Sequence, residues 1–444
     1  MQAFFWLLCG DRVSLAKRKF IIMNLKYGID SRPPFGQLML YSLQWFVLAI
    51  AVVVTSLFIA VGSPAERVLY AQKVFALMGG AIIVQALWGH RMPIVVGPAS
   101  VLLVGIITTL AAQGEAVNTN KIYTAILIGG CAVTLLSIGS TLKHLQKIFT
   151  PRIVIVILML IAVTLGPTIK NLIFPAGQEA RHAFGLWATI AGIPLMALAA
   201  NRLRGVMKSV VIPIALVIGA IVYYIMYGGF GEVFSKYSDS EGPLLLPKLE
   251  FDGGIILAFL LCFVALLIND IGSTQSLGGM LGTPDTDSRC RRGVGLTGVF
   301  NIIAGGIGII GPVNFSMSPG VIASSSCASR YALIPAGAGL MVCAFIPQLI
   351  AVMSAIPDTV IGVILLYLMG TQLAAAFHMI STTDSAKTFD QGLIIGLPIM
   401  VALLFGIIPM QVIPSMLRPL IGNGFVMGVV TVILLEHVIF NKKH

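Results

Sequence analysis

The feature that most constrains this chain is a series of about fourteen apolar segments, each long enough to cross or enter a bilayer. A backbone inside hydrocarbon must satisfy its own N–H and C=O groups, which a helix does within one segment. Charged residues make up only 10% of the chain and its mean hydropathy is +0.98, whereas soluble domains carry roughly 25% charged residues. The sequence therefore predicts an all-α polytopic membrane protein. The segments are 36–62, 70–89, 93–112, 121–140, 152–169, 184–201, 206–229, 251–273, 293–309, 311–327, 331–355, 358–380, 389–409 and 416–440.

The distribution of basic residues predicts how these spans are oriented. If both termini lie inside and the spans alternate, most of the 28 lysines and arginines fall on the cytoplasmic side, as the positive-inside rule requires. The longest outside loop, 231–250, is then locally acidic. We expect an integral plasma (inner) membrane protein with both termini cytoplasmic and in contact with lipid. The net charge of +11 thus follows from topology, and no nucleic-acid partner is predicted.

Two of the segments, the third and the tenth, contain helix-breaking residues. PIVVGPASVLLVGIITTLAA contains Gly97-Pro98, and GPVNFSMSPGVIASSS contains Pro312 and Pro319-Gly320. Proline removes a backbone donor and glycine loosens a helix. We therefore expect each segment to begin as a short extended stretch and to end as a half-helix.

The two broken segments occupy equivalent places in two sets of seven spans. Because seven is odd, two such halves must insert with opposite orientation, and paired interrupted segments indicate a transporter's midplane site. We predict a cytoplasmic N-terminal segment 1–35, a first seven-span repeat 36–230, the extracytoplasmic loop 231–250 and a second seven-span repeat 251–440. Residues 1–22 do not fit a signal peptide, and translation from Met23 instead of Met1 is one hypothesis.

Other function classes lack their sequence signals. Nothing resembles a channel filter or a charged ring, and HExxH, GxSxG and phosphate-loop motifs are absent. The six cysteines form no CxxC pair, and no His/Glu cluster suits a metal. The sequence predicts a secondary transporter, not an enzyme, with no catalytic residue, cofactor or metal site.

Five stretches, in order along the chain, resemble the nucleobase/cation symporter family, also called nucleobase–ascorbate transporters or xanthine/uracil permeases. The resemblance runs from about residue 27 to residue 440. The stretches are YGIDSRPPFGQLMLYSLQW, FALMGGAIIVQALWGHRMPIVVGPAS, LLINDIGSTQSLGGMLG, GVGLTGVFNIIAGGIGIIGPVNFSMSPGVIASSSCASRYALIPAGAG and AIPDTVIGVILLYLMG.

The resemblance implies a fold of two inverted seven-span repeats divided into core and gate domains. In that family, short strands from the third and tenth spans cross near the midplane, and substrate binds between them and the eighth span. The typical activity is proton-coupled, sometimes sodium-coupled, uptake of uracil, xanthine, uric acid or related bases. A homodimer is the usual assembly.

The resemblance also implies the substrate-binding positions. The eighth span, where the family has a carboxylate, carries Asn269, with Ser273 four residues later. The tenth-span motif falls on Met317, Ser318 and Gly320, of which only the glycine is retained. A different small polar substrate, or an uncoupled facilitator, therefore remains an alternative to a cation-coupled nucleobase permease.

Three further positions are predicted from the residues themselves. Asp270 is an acid deep within an apolar span, which makes it a candidate for proton coupling, although a structural role as a hydrogen-bonding cap is the alternative. Phe315, just before a half-helix, is expected to stack on a base face or else to pack against lipid or protein. The backbone amides near Ser100 and Gly320 are expected to bind substrate because half-helix N-termini present unpaired N–H groups.

Overall fold

The computed structural model describes most of the chain and is predominantly helical. The described residues are 25–54, 56–59, 63–113, 118–138, 150–203, 211–238, 246–315, 318–409, 412–414, 417 and 421–440. The helices are α1 (Phe35–Val54), α2 (Pro64–Leu87), α3 (Ser100–Gln113), α4 (Thr119–Ser137), α5 (Pro151–Thr164), α6 (Gly166–Ile173), α7 (Glu179–Arg202), α8 (Val211–Tyr227), α9 (Phe230–Ser238), α10 (Gly253–Leu281), α11 (Thr286–Ile307), α12 (Ser318–Ser325), α13 (Leu333–Ala344), α14 (Pro347–Ser354), α15 (Asp358–Thr383), α16 (Phe389–Ile407) and α17 (Gly424–Leu434), the last continued by a π turn, Leu435–Ile439.

Polar residues at the helix starts explain where several of these helices begin. Ser63 and Glu66 form a capping box at α2, in which each side chain binds the other residue's backbone N–H. Asp252 accepts hydrogen bonds from two amides of the first turn of α10, and Thr150 caps α5 ahead of Pro151. Such caps satisfy donors that have no partner within the helix.

Eight of the described helices are long and apolar enough to cross a membrane, and ten spans result if each of two bent helix pairs counts as one. Helix α11 is not among them, and its first turns carry several charges. Helices α3 and α12, which follow the predicted breaks, are short. The integral membrane character is therefore clear, while about fourteen spans remains a prediction.

The predicted extended stretches are present in both broken segments. Strand β1 (Val96–Pro98) pairs antiparallel with β2 (Pro312–Asn314) in a two-stranded sheet. Hydrogen bonds from Ala99 N to Gly311 O and from Phe315 N to Val95 O, each 2.9 Å, continue the ladder beyond both ends. Helix α3 follows β1 directly, and α12 begins shortly after β2.

Glycines allow close contact at two major helix interfaces. A Cβ atom at Gly79 of α2 would lie 2.5 Å from the carbonyl oxygen of Gly337 in α13. At the α4–α11 interface, a Cβ at Gly130 would lie 2.6 Å from the backbone nitrogen of Ile302, and one at Gly298 would lie 2.4 Å from Thr134 Oγ1. Small residues of this kind let helix backbones approach within a membrane.

Some details differ from the sequence expectation. Helix α9 occupies residues within the stretch 231–250 that was expected to be a loop. Helix α10 extends to Leu281, and α11 already begins at Thr286, because both continue beyond their apolar segments into polar sequence. Met23, Met317 and the basic C-terminal residues lie outside the described residues.

Candidate functional site

The candidate site is a cavity of about 380 Å³ between two groups of helices. One wall is formed by α1, α3, α10 and the residues around the two strands. The facing wall is formed mainly by α5 and α15. No charged side chain lines the cavity within the described part of the chain.

One face of α10 supplies three of the polar residues that line this cavity. Asn269, Ser273 and Ser276 all line it, and their spacing of four and three residues places them on one face of a helix. Asn269 is half-buried, whereas the two serines are at least nine-tenths buried. An amide can both donate and accept along one edge of a ligand, so Asn269 is suited to reading a planar donor/acceptor edge.

Phe315 and the start of α3 complete the cavity beside the strand crossing. The half-buried Phe315 lines the cavity, as do Pro98 and Ser100. A Cβ at Gly97 would lie 2.5 Å from Val52 Cγ1 and 3.0 Å from the Phe315 ring. Glycine at this strand position therefore leaves the space in which Val52 and the aromatic ring pack.

The geometry of the ladder explains how α10 holds β2. Val96 and Asn314 face each other between the hydrogen-bonded positions of the ladder, so the backbone groups of Asn314 point away from β1. Asp270 Oδ1 accepts a hydrogen bond from Asn314 N at 3.2 Å, and Ser273 Oγ donates to Asn314 O at 3.0 Å. One turn of α10 therefore satisfies both backbone groups of this strand residue.

The alternation of hydrogen-bonded and non-hydrogen-bonded pairs along the two strands also accommodates the two prolines. Pro98 lies opposite Pro312, two residues from the Val96–Asn314 pair, at a position where a backbone N–H would not have joined the ladder. The carbonyl of Pro312 accepts a hydrogen bond from Asn301 Nδ2 of α11 at 3.0 Å. The missing proline donors thus cost the sheet no ladder hydrogen bond.

Asp270 lies behind the cavity, not within it. Its side chain is 0% exposed and does not contribute to the described cavity lining. Among the described residues, no lysine or arginine forms an ion pair with it, and its Oδ2 atom has no hydrogen-bond partner. The carboxyl group thus binds the backbone of Asn314 through Oδ1. Its other oxygen, Oδ2, is buried without a hydrogen-bond partner among the described residues.

The tenth-segment candidates occupy different surroundings. Ser318 is fully buried, and its Oγ accepts from Val95 N at 3.0 Å and donates to Phe315 O at 3.2 Å. It therefore ties the start of α12 to the strand crossing. Gly320 lies in the first turn of α12, and neither residue is part of the described cavity lining.

Several residues at the site were not singled out by sequence reasoning. Ser276, Thr371 and Gln372 line the cavity, while the fully buried Asn314 binds the lining residue Ser273. Ser276 could have been found by continuing the face that holds Asn269 and Ser273. Within the described residues, no group of three His, Cys, Asp or Glu side chains is placed to hold a metal ion.

Comparison with known families decides the class of protein. Residues 36–411 match the family Xan_ur_permease, which is described as "Permease family". The chain belongs to this permease family. The resemblance to nucleobase–ascorbate transporters is thereby confirmed, and the permease is a membrane transporter, not an enzyme.

Curated relatives of the permease have transport functions in their names. It is 24% identical over 402 residues to the xanthine permease of Bacillus subtilis, which covers 86% of this chain and 89% of that protein. It is 26% identical to the uric acid permease PucJ of the same organism, over 78% of each chain. A putative purine permease of Clostridium perfringens is 24% identical over 94% of this chain and 93% of its own length.

Solved structures show the same fold at low sequence identity. The transmembrane domain of the cyanobacterial bicarbonate transporter BicA gives a TM-score of 0.55 at 14% identity, covering 80% of this permease and 96% of that chain. The inward-facing murine anion transporter Slc26a9 gives a TM-score of 0.61 at 13% identity, covering 98% of this permease and 74% of that chain. These likenesses concern the fold alone.

Proposed function

We propose that this permease transports a purine or pyrimidine nucleobase such as xanthine, uric acid or uracil. The observation that carries the proposal is a cavity that no charged side chain of the described residues lines and that has a polar face on α10. Asn269, Ser273 and Ser276 present polar groups on one side, and the facing residues of α5 and α15 are mostly apolar, with Thr371 and Gln372 of α15 the exceptions among the described residues. A planar base has a polar edge and two apolar faces, which such a cavity matches. The named functions of the xanthine and uric acid permeases support the same substrate class.

Transport is driven by a cation, and the proton is the favoured one. Asp270 is a buried carboxyl group with no ion-pair partner among the described residues, and intramembrane carboxyls commonly mark proton or ion pathways. A sodium ion is the second candidate. A facilitator that needs no cation, or a relative with another small polar substrate, is the alternative, because Asn269 stands where the family has a carboxylate.

The proposed architecture is a pair of inverted seven-span repeats, forming core and gate domains that move relative to each other in alternating access. Contacts that would be equivalent in two such repeats support it: α2 packs on α13 as α11 packs on α4, and α1 meets β1 as α10 meets β2. Side chains near the start of α11 bind the loop after α2, while side chains in the first half of α2 bind the end of α11 and the loop after it. The pairs are Arg289–Arg91 O, Arg292–Gly89 O, Lys73–Ile307 O and Tyr70–Ile310 N.

We place the protein in the plasma (inner) membrane with both termini cytoplasmic, as a homodimer surrounded by lipid. The exposed apolar side chains of α7 and α8, which include Trp187 and Ile225, support lipid contact on that side. The positive-inside bias of the sequence supports the orientation. The homodimer is proposed because it is the usual assembly in the family that the sequence resembles.

Gradient-driven uptake into proteoliposomes tests this proposal. Labelled xanthine, urate and uracil would be offered under an imposed pH gradient, under a sodium gradient and with neither. We expect at least one base to accumulate above its outside concentration with the pH gradient, and Asp270→Asn to abolish that accumulation. Saturable exchange that ignores both gradients would favour the facilitator, and no transport of any base would contradict the substrate class.

A further inference from the structure

Four arginines lie close together where the end of α2 meets the start of α11. Arg91 is in the loop after α2, and Arg289, Arg291 and Arg292 belong to the first two turns of α11. Arg289 is half-buried and the other three are exposed. We call these four residues the arginine cluster. It carries four positive charges, because an arginine side chain stays protonated in proteins.

Hydrogen bonds to one short loop fix two of these guanidinium groups. Arg289 Nη1 donates to the carbonyl oxygen of Arg91 at 2.7 Å and to that of His90 at 3.4 Å. Arg292 Nε donates to the carbonyl oxygen of Gly89 at 3.4 Å. Three consecutive carbonyl groups therefore hold the two side chains beside the backbone of Arg91.

The charge of this cluster is not balanced by acidic side chains. Within the described residues, none of the four arginines forms an ion pair, and Asp285 and Asp287, the nearest acids in the chain, form none with them. Arg330 differs, because it binds the carbonyl oxygen of Ala86 in α2 and also pairs with Asp30 at 2.7 Å. The carbonyl groups at a helix end carry only partial negative charge, so the cluster keeps an excess of positive charge.

An exposed apolar stripe continues from the cluster along α11. Val299 and Ile303 follow Arg292 by 7 and 11 residues. A rotation of about 100° per residue places both within about 20° of Arg292 around the helix, about 10 Å and 16 Å further along it. Both side chains are exposed. One face of α11 thus presents a positive charge followed by apolar side chains.

Trp88 indicates the level of the membrane at which the cluster lies. It ends α2, precedes the carbonyl group that Arg292 binds, and is 61% exposed. Exposed tryptophan is typical of the interface between lipid headgroups and hydrocarbon. The arginines are therefore at headgroup level, and the apolar stripe extends from them into the hydrocarbon.

We propose that the arginine cluster binds the phosphate group of an anionic phospholipid, whose acyl chain lies along Val299 and Ile303. Guanidinium groups donate paired hydrogen bonds to phosphate oxygens, and anionic lipids attract basic residues at the cytoplasmic surface, where the proposed orientation places this loop. A soluble phosphate ion would match the charge but leave the apolar stripe uncovered, which favours the lipid. The inference does not depend on the transported substrate.

The bound headgroup would also support the strand crossing. Strand β1 begins at Val96, only a few residues after the loop that the cluster holds. A lipid that neutralises Arg289 and Arg292 removes the repulsion between them while both remain on the loop. We therefore expect anionic lipid to raise the thermal stability of the protein.

Lipid binding to the purified protein tests the proposal. Native mass spectrometry and thermal unfolding would compare phosphatidylglycerol with phosphatidylcholine of the same acyl chains. Arg291→Gln is the sharpest variant, because Arg291 makes no side-chain hydrogen bond or ion pair within the described residues. Arg289→Gln with Arg292→Gln removes both loop-bound groups. The control, Arg202→Gln with Lys170→Gln, removes two exposed charges from other helices.

We expect wild type to retain phosphatidylglycerol about tenfold or more over phosphatidylcholine, and each arginine removed to lower that retention about fivefold. The control should keep the preference. Equal retention of both lipids by wild type, or an unchanged preference in the arginine variants, would overturn the proposal. An equal loss of stability in both lipids with the preference intact would also overturn it, since the arginines would then only hold the loop.

Inorganic phosphate distinguishes a lipid from a soluble anion. Added to the protein in phosphatidylcholine, it should not reproduce the stabilisation by phosphatidylglycerol, because the apolar stripe gains nothing from it. An equal gain in unfolding temperature from inorganic phosphate would assign the cluster to a soluble anion and overturn the lipid site.

Discussion

Ser273 on α10 donates a 3.0 Å hydrogen bond to the carbonyl oxygen of Asn314 in β2. The same serine lines the cavity, one turn from Asn269. The helix face that offers polar groups to a ligand is therefore directly bonded to the strand crossing. A ligand that moves α10 therefore also displaces β2 through this hydrogen bond. The strand crossing in turn connects the site to α3 and α12, the short helices that follow the two strands.

Asn269→Ala should weaken nucleobase binding by about tenfold or more, because the ligand edge loses a side chain that both donates and accepts. The folded protein should keep its thermal stability, since Asn269 is only half-buried. Equilibrium binding of labelled xanthine to purified protein checks this. Asn201→Ala, on the exposed end of α7, is the control and should bind normally; an equal loss there would remove Asn269 from the site.

Phe315→Ala should weaken binding of a planar base by about fivefold to tenfold, while Phe315→Tyr should retain most of it. An aromatic face contributes about 0.5–1.5 kcal/mol beyond simple area burial when it stacks on another ring. The same binding measurement applies, with Phe345→Ala as a control because that side chain is 77% exposed. If Phe315→Ala binds like wild type, its ring only packs beside the strand crossing.

Gly97→Ala should impair transport through overpacking. Its Cβ would approach Val52 Cγ1 to 2.5 Å and the Phe315 ring to 3.0 Å, and crowding of this kind typically costs about 1–3 kcal/mol. Adding Val52→Ala should restore part of the activity by making room. Gly80→Ala meets no atom within 4 Å and should behave as wild type. Full activity of Gly97→Ala alone would contradict the tight crossing described for β1.

Gly298→Ala should lower the unfolding temperature in detergent. A Cβ there would lie 2.4 Å from Thr134 Oγ1 and 2.6 Å from Thr134 N in α4, so the two helices must separate, again at a cost of about 1–3 kcal/mol. Gly306→Ala on the same helix meets nothing within 4 Å and serves as the matched control. Equal thermal shifts for both variants would mean that helix propensity, not interface packing, governs the effect.

Much of the framework could be predicted from local sequence. Apolar runs of about 20 residues identify most of the helices, and Gly97-Pro98 and Pro312 locate the two strands. The helical rotation of about 100° per residue explains why Asn269 lines the cavity whereas its neighbour Asp270 points behind it. The family resemblance singled out Asn269 and Ser273, and both line the cavity.

The rest depends on contacts between distant residues, which no local pattern contains. His90 and Asn314 are far apart in sequence yet neighbours in the fold, and Gln85 of α2 donates to the carbonyl of Gly293 in α11. The strand register is equally non-local. For Ser318, the structure assigns the hydroxyl to backbone groups of the crossing, a role that its place in a substrate motif did not indicate.

The central claim is that the cavity, which no described charged side chain lines, carries a nucleobase on a fold that it shares with anion transporters. Counterflow in proteoliposomes tests it most directly: vesicles loaded with unlabelled xanthine, urate or uracil are diluted into the matching labelled base, and bicarbonate exchange is measured in parallel. We expect transient, saturable accumulation of at least one labelled base and no exchange of bicarbonate. Exchange of bicarbonate without counterflow of any base would contradict the account.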